Sequence, residues 1–117
     1  MGVHMEYKRG QIVYVDLSPI RGSEQGGLRP ALIVSNDMGN KHSPVVIVAP
    51  ITCQTQKKKL PTQVLIGTES GLKALSMVMC EQLRTIDKGR ISGAPIGCAK
   101  EYVMKAVNYA IAKSLGI

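Results

Sequence analysis

A chain of 117 residues is long enough for one domain with a modest hydrophobic core. Apolar residues make up 44% of it, which excludes an intrinsically disordered protein, and no apolar run approaches the ~20 residues of a transmembrane helix. Lysine and arginine outnumber aspartate and glutamate by 15 to 8, and the resulting net charge of +7 favours a polyanionic partner such as nucleic acid or an acidic protein.

The residue types present limit the kinds of site that the chain can build. Phenylalanine and tryptophan are absent and tyrosine occurs four times, so the core must consist of Val, Ile, Leu, Met and Ala, and an aromatic base-stacking platform is disfavoured. The three cysteines have no CxxC spacing, which is typical of reduced thiols in the cytoplasm. Neither cysteines nor histidines have zinc-ligand spacing, so we expect no metal and no other cofactor.

The chain shows no internal repeat or linker, and no signal peptide is visible. Residues 1–4 precede a second methionine and look like a remnant of protein expression. Residues 5–117 are therefore predicted to form a single domain.

Short β-rich runs separated by turns dominate the first 90 residues. They predict strands at 12–17, 31–35, 45–49, 62–66 and 76–81 and a sixth beginning at 84–87, with turns at 36–40 and 88–90. The third run is apolar at every position, which indicates a strand buried on both faces. Strands in sequence without intervening helices predict an antiparallel sheet.

From about residue 99 to 115 the apolar period changes to that of a helix, which Gly116 closes. The face predicted to be apolar comprises Tyr102, Val103, Ala106, Val107, Ala110, Ile111 and Leu115. The sum is an α+β, mainly β domain: a small antiparallel barrel with a C-terminal amphipathic helix.

The most informative stretch is the Gly-rich loop at 22–28 and the arginine that follows it. Pro30 biases Arg29 towards an extended conformation, so the guanidinium is expected at a stiff strand entrance. A planar fork of donors held in this way suits the oxygen pair of a phosphate or carboxylate. On spacing alone, a solvated arginine in an ordinary hairpin loop is as consistent with this pattern as a binding site.

Other polar residues are predicted where strands meet loops, which is where functional groups concentrate. They are Thr52 after the third strand, Gln82 after the fifth, and Ser23 and Gln25 in the long loop. A strand-end threonine such as Thr52 is usually structural, and the basic run 57–59 is most often a solvated loop. No nucleophilic triad, P-loop or calcium-binding motif is present, because His42 lies alone in a polar turn.

Over residues 8–92 the sequence resembles the MazF/PemK family of toxin endoribonucleases, nearest to its Gram-positive branch. The similarity is most specific in the two blocks Gly-Ser-Glu-Gln-Gly-Gly-Leu-Arg-Pro (22–30) and Glu-Gln-Leu-Arg-Thr-Ile-Asp-Lys (81–88). Shorter matches are Arg-Gly at 9–10, Val-Asp-Leu-Ser-Pro at 15–19, Asn-Asp at 36–37, Ala-Pro-Ile-Thr at 49–52 and Leu-Pro-Thr at 60–62.

The resemblance implies an SH3-like, CcdB/PemK-type barrel that forms a homodimer, cleaves single-stranded RNA at specific sequences without a metal, and is held by an acidic MazE-like antitoxin. It identifies Arg29 and Thr52 as catalytic. The residues implied to bind RNA are Ser23, Glu24, Gln25, Gly26, Gly27, Lys57, Ser76 and Gln82.

The implied chemistry is attack of the ribose 2′-OH on the adjacent phosphate, giving a 2′,3′-cyclic phosphate and a 5′-OH. Arg29 would stabilise the transition-state charge and Thr52 would orient the 2′-OH or a phosphate oxygen, while the general base stays unassigned. Two positions depart from the family pattern, Leu75 before Ser76 and Gln63 after the Pro-Thr pair. Both bear on base preference more than on the chemistry.

Two alternatives belong to other functional classes. A CcdB-like toxin that binds DNA gyrase without catalysis would share the barrel, because fold alone does not decide function. A purely RNA-binding barrel would not need a stiffened Arg29 near a strand-end Thr52.

Overall fold

The computed structural model describes residues 6–56 and 58–117. The predicted remnant at 1–4 and the RNA contact predicted for Lys57 therefore lie outside the described residues. The strands are β1 (Gln11–Asp16), β2 (Leu28–Ile33), β3 (Val45–Thr52), β4 (Gln63–Ile66), β5 (Ser76–Met79), β6 (Arg84–Asp87) and β7 (Ile91–Cys98). The α-helices are α1 (Asp37–His42) and α2 (Glu101–Leu115).

Strand β3 organises the sheet, which runs in the order β4-β5-β3-β2-β1-β7 with β6 also paired to β3. All pairs are antiparallel. Residues 45–48 of β3 pair with β6 and residues 48–50 pair with β2, so Val48 has a strand on both sides. The last residues of β3 pair with β5, with Ile51 opposite Val78. This change of partner along one strand curls the sheet, and the predicted mainly β fold with a C-terminal helix is confirmed.

Side-chain alternation along the strands divides the core into two clusters. In β1, Ile12 faces the cluster beneath α2, while Val13 and Val15 face a second cluster between β1, β2, β3 and β6. Each such side chain contributes roughly 1.5–3 kcal/mol when fully buried. The largest fully buried side chains are all Val, Ile or Leu, as the composition predicts.

Helix α2 buries a narrower stripe than its sequence predicts. Val103, Val107 and Ala110 are buried, but Tyr102, Ala106 and Leu115 of the predicted apolar face are exposed, so that part of the prediction is wrong. The helix packs chiefly on β4 and the turn after β5 rather than across the whole sheet, so fewer of its positions are covered. Its end at Gly116, with φ 74°, is as predicted.

Three local predictions need correction. The turn predicted at 36–40 opens α1, because the side chain of Asn36 accepts the Gly39 N–H at 2.7 Å and caps the helix. Strand β5 ends at Met79, since Cys80–Gln82 forms a 3₁₀ turn. Strand β3 is not buried on both faces throughout, because Ile47 is 39% exposed. The turn predicted at 88–90 is found, as a 3₁₀ turn.

Strand β7 was not predicted, because its three Gly and Pro residues are typical of a loop. One of these glycines is required by packing. A Cβ on Gly97 would lie 1.8 Å from the carbonyl oxygen of Ser70. The strand therefore tolerates the glycine because another backbone segment passes directly over it.

Candidate active site

The cleft that contains Arg29 and Thr52 opens where β2 and β3 separate. Their pairing ends at Ala31 opposite Pro50. Continued by two residues, the same register would place Arg29 opposite Thr52. Instead β3 turns to β5, with Thr52 opposite Met77, while β2 stays with β1, with Arg29 opposite Val15. The resulting wedge is a cleft of about 410 Å³ that both residues line.

The sequence predicted both residues at strand–loop boundaries, and the structure corrects this by one or two positions. Arg29 is the second residue of β2, and Thr52 is the last residue of β3. Each side chain is half-buried. Their backbones are therefore fixed by the sheet, which restricts where the two side chains can reach.

The guanidinium of Arg29 is held by uncharged acceptors. Its Nε donates to the carbonyl oxygen of Gly26 at 2.8 Å, and its Nη1 donates to Oε1 of Gln25. Among residues 6–56 and 58–117, the only ion pair within 4 Å joins Lys105 to Glu101. The positive charge of Arg29 is thus not neutralised by a carboxylate there, and three of its five N–H donors have no partner within this part of the chain.

The hydroxyl of Thr52 is also oriented. Its Oγ1 accepts the backbone N–H of Gln54 at 3.2 Å. Because that bond uses the oxygen as an acceptor, the hydroxyl proton remains free to point into the cleft. The site therefore offers one fixed cation and one hydroxyl donor on opposite walls.

The loop before β2 is held by side chains from the second motif block. The carbonyl oxygen of the Gln82 side chain accepts the backbone N–H of Gln25 at 2.9 Å. Arg84 donates through Nη1 to the carbonyl oxygen of Leu17, where the loop begins. The two sequence blocks are thus in direct contact, and Gln82 acts on the same residue that holds Arg29.

The loop is also closed at its base. The backbone N–H of Leu17 donates to the carbonyl oxygen of Gly27 at 3.0 Å, and the N–H of Gly27 donates to Oγ of Ser18 at 3.1 Å. Gly27 has φ 74°, a left-handed conformation that favours glycine. Arg90 donates to the carbonyl oxygens of Asp16 and Ser18. These bonds hold the base of the long loop against the barrel.

Two further cavities adjoin the cleft, and Gln25 lines all three. One, of about 650 Å³, is lined by Ser23, Glu24 and Gln82 among others. The other, of about 230 Å³, is lined by Ser23, Thr52 and Gln82 among others. Most of the predicted RNA-binding side chains therefore border one continuous groove.

The remaining predicted positions differ in what they offer. Ser76 lines the cleft but is buried, and its hydroxyl donates to the carbonyl oxygen of Ala74 at 2.9 Å. Gly26 supplies the carbonyl that holds Arg29, and a Cβ there would lie 2.4 Å from Ile20. Gly27 contributes its conformation at the loop base rather than a side chain.

Sequence reasoning missed several residues that line the groove. They are Tyr14, Cys53, Gln54 and Lys73 in the cleft, and Met77, Met79 and Glu81 in the smaller cavity. Gln63, which the sequence linked to base preference, lines the smaller cavity as well. Alternation along β4 and β5 could have placed Gln63, Met77 and Met79 on a common face. The wall formed by Tyr14 and Lys73 depends on long-range packing and has no local signal.

Titratable groups at the cleft are few. Besides Arg29, its lining contains Tyr14, Cys53 and Lys73, and neither a carboxylate nor an imidazole. His42 is exposed at the end of α1 and lines none of the cavities described above. In the described chain, no group of three or more His, Cys, Asp or Glu side chains is placed to hold a metal ion.

The clear pKa shifts occur away from the cleft. Burial, assisted by the charge of Glu81, raises the pKa of Cys80 to about 11. A hydrogen bond of 2.6 Å from Tyr102 to Glu69 lowers the pKa of the carboxyl and raises the pKa of the phenol. None of the helices within the described residues is long and apolar enough to span a membrane.

Comparison with known proteins gives consistent matches over most of the chain. Residues 8–115 match the model of a family described as PemK-like, MazF-like toxins of type II toxin–antitoxin systems. The chain is 47% identical over 111 residues to the endoribonuclease MazF of Staphylococcus saprophyticus, covering 94% of this chain and 92% of that protein. It is 53% identical over 89 residues to the endoribonuclease EndoA of Bacillus subtilis, covering 75% and 77%.

A solved structure has the same fold. It is a mycobacterial endoribonuclease in complex with its cognate antitoxin, with a TM-score of 0.78 and 30% sequence identity. The superposition covers 95% of this chain and 96% of that one.

Proposed function

The chain belongs to the PemK-like, MazF-like toxins of type II toxin–antitoxin systems, and we propose that it is an endoribonuclease that cuts single-stranded RNA in the wedge between β2 and β3. The relatives at 47% and 53% identity are endoribonucleases. The observation that carries the proposal is the un-neutralised guanidinium of Arg29 across the cleft from the Thr52 hydroxyl.

In the proposed reaction, the ribose 2′-OH attacks the adjacent phosphorus and the 5′-oxygen leaves. The products are a 2′,3′-cyclic phosphate and a 5′-OH. Negative charge accumulates on the non-bridging phosphate oxygens in the transition state, and the free N–H donors of Arg29 would bind two of them. The Thr52 hydroxyl would donate to a phosphate oxygen or orient the 2′-OH.

Catalysis in this scheme depends on positioning and on charge stabilisation. A guanidinium only donates hydrogen bonds, and the cleft lining contains no histidine or carboxylate, so we assign no side chain as general base. Gln25 has a supporting role, because its side chain accepts a hydrogen bond from the Arg29 guanidinium. The backbone N–H of Gln25 in turn donates to the Gln82 side chain.

The RNA would lie along the groove that joins the three cavities. We propose that it contacts Ser23, Glu24, Gln25, Ser76 and Gln82, which line these cavities. The resemblance to the family adds Gly26, Gly27 and Lys57 to the proposed contacts. The net charge of +7 would strengthen binding to the RNA backbone in a salt-dependent way.

We further propose an acidic antitoxin as the protein partner, a homodimer as the working form, and the cytoplasm as the compartment. The mycobacterial neighbour is described in complex with its cognate antitoxin. An acidic antitoxin segment, disordered when free, would lie in the groove and compete with RNA. Such a peptide should raise the apparent KM for RNA, and inhibition that leaves RNA binding unchanged would contradict this model.

The activity is tested by incubating the protein with a long single-stranded RNA in the presence of EDTA and mapping the 5′-OH ends. We expect cuts at a small set of recurring sequences, each with a cyclic phosphate on the upstream fragment. Intact RNA at high enzyme concentration would overturn the proposal, and inhibition of DNA gyrase by the same preparation would then support the non-catalytic alternative.

A further inference from the structure

The smaller cavity beside Thr52 has features of a site for a single nucleobase. Its volume is about 230 Å³, below the size of a typical drug-sized ligand pocket. Met77 and Met79, both almost fully buried, lie in its lining, and methionine sulfur packs favourably against aromatic rings. Because Thr52 and Gln25 line both this cavity and the cleft, a base next to the cut phosphate could enter it.

The exposed carboxylate of Glu81 lines both this cavity and the larger one beside it, and a hydrogen bond from Gln63 holds it. Gln63 accepts the backbone N–H of Leu60 at its Oε1, at 3.1 Å, and donates from its Nε2 to Oε2 of Glu81 at 2.7 Å. Both ends of the Gln63 amide are thus engaged. Within the described residues, the second carboxylate oxygen of Glu81 has no hydrogen-bond partner, so it offers only acceptor sites to a ligand.

From this arrangement we infer that the cavity lined by Met77, Met79, Gln63 and Glu81 binds one base of the RNA and that Glu81 selects bases carrying an amino group. A carboxylate accepts hydrogen bonds from the exocyclic amines of adenine, cytosine or guanine. Uracil presents its N–H between two carbonyl oxygens, which the carboxylate repels. This inference rests on the proposed RNA cleavage and adds to it the residue that sets one position of the recognised sequence.

The side chains around Glu81 are suited to support such selection. Ser23, Gln25, Gln54 and Gln82 line the same cavity and can each donate or accept a hydrogen bond, so they accommodate the rest of the base edge. Gln63 is one of the positions at which the chain departs from its family pattern. Its bond to Glu81 explains how that departure would alter base preference without touching Arg29 or Thr52.

The test compares the wild type with Glu81→Gln, using oligonucleotides with a single ribose at the cut site and all four bases at each flanking position. We expect the wild type to favour amino bases over uracil at one flanking position by roughly tenfold. Glu81→Gln should lose that preference, because its amide can also donate to a uracil carbonyl. The control Glu101→Gln changes an exposed carboxylate on α2 and should cut like the wild type.

A second measurement separates this inference from the proposed reaction. Equilibrium binding of uncleavable all-deoxy oligonucleotides, with the same base changes, should show the same loss of discrimination in Glu81→Gln. A wild type that binds these selectively but never cuts RNA would overturn the reaction alone. A folded Glu81→Gln protein with wild-type selectivity in both measurements, or with equal losses for all four bases, would overturn the base pocket.

Discussion

The two halves of β3 differ in the strands beside them, and we propose that this difference separates the residues that stabilise the fold from those that act on RNA. Val46 and Val48 both pair with β6, Val48 also pairs with β2, and the chain just after β2 bonds to Ile47 through the Val34 N–H. Both valines belong to the second core cluster. Beyond Pro50, β2 is gone and only β5 remains. The first, closed half buries Val46 and Val48, although Ile47 on its other face is 39% exposed. The second, open half leaves space between Arg29 and Thr52.

The cleft forms because β2 no longer pairs with β3 beyond Pro50, and not because an additional loop or helix builds it. In a continued antiparallel ladder, the backbones of Arg29 and Thr52 would pair directly and leave no gap between the two strands. Once the strands separate, their side chains face a gap and can meet a phosphate instead. Substitutions at the cleft should therefore lower the cleavage rate with little change in stability. Substitutions in the closed half should lower stability and leave the cleavage rate unchanged.

The largest effect is expected from Arg29→Ala in the open half. Loss of a transition-state donor should lower single-turnover cleavage by roughly 10²–10³, or about 3–4 kcal/mol, with little change in melting temperature. Arg29→Lys should recover little, because a point ammonium cannot span two oxygens. Arg21→Ala, an exposed arginine of the same loop, serves as the control. A folded Arg29→Ala protein that cuts at the wild-type rate would show that the catalytic assignment is wrong.

Thr52→Ala should be similarly damaging, and its combination with Arg29→Ala sharpens the comparison. If both side chains hold one transition state, the double variant should lose less than the product of the two single losses. The measurement is a double-mutant cycle on a substrate with one ribose. Strict additivity would indicate that the two residues act in separate steps.

In the closed half, Val48→Ala should lower stability while leaving the rate per folded molecule unchanged. Val48 is fully buried in the second cluster, and removing two methyl groups should cost about 2 kcal/mol including the cavity left behind. Denaturant unfolding measures the first quantity and single-turnover cleavage the second. A large loss of rate without loss of stability would break the division between the two halves.

The support beneath the open half can be probed by pH through Cys80, which follows β5. Because the pKa of this buried thiol is raised from 9.0 to about 11, the unfolded chain ionises first and stability is lost as the pH rises between those values. By pH 10 the loss should be about 1.4 kcal/mol. Cys80→Ala should flatten this alkaline slope in denaturant titrations, and Cys53→Ala, at an exposed thiol, should not.

The smallest effect is expected from His42→Ala, at the end of the short helix that leads into β3. His42 is exposed and lies outside the cleft, so cleavage should be unchanged. A general base contributes ~10²–10⁴-fold, so a loss above tenfold would mean that the active site lies elsewhere. The pH–rate profile of this variant should match that of the wild type.

The sequence alone determined where most strands and the C-terminal helix lie and which residues are candidates for chemistry. A short β-rich run between turn residues marks β1, the uninterrupted apolar run marks β3, and Gly116 marks the end of α2, because each depends on residues close together in sequence. The local rules fail at β7, where Gly97 is required because the backbone of Ser70 passes directly against it.

Only the tertiary structure decided how the candidates meet. That β3 exchanges β2 for β5 at Pro50, that Gln82 reaches the backbone of Gln25, and that Glu81 joins Gln63 all depend on contacts between distant segments. Local patterning specifies the face of a strand but not its neighbour. Which strands pair depends on how the whole sheet curls around the two core clusters. That pairing leaves the cleft between β2 and β3 and the smaller cavity beside it.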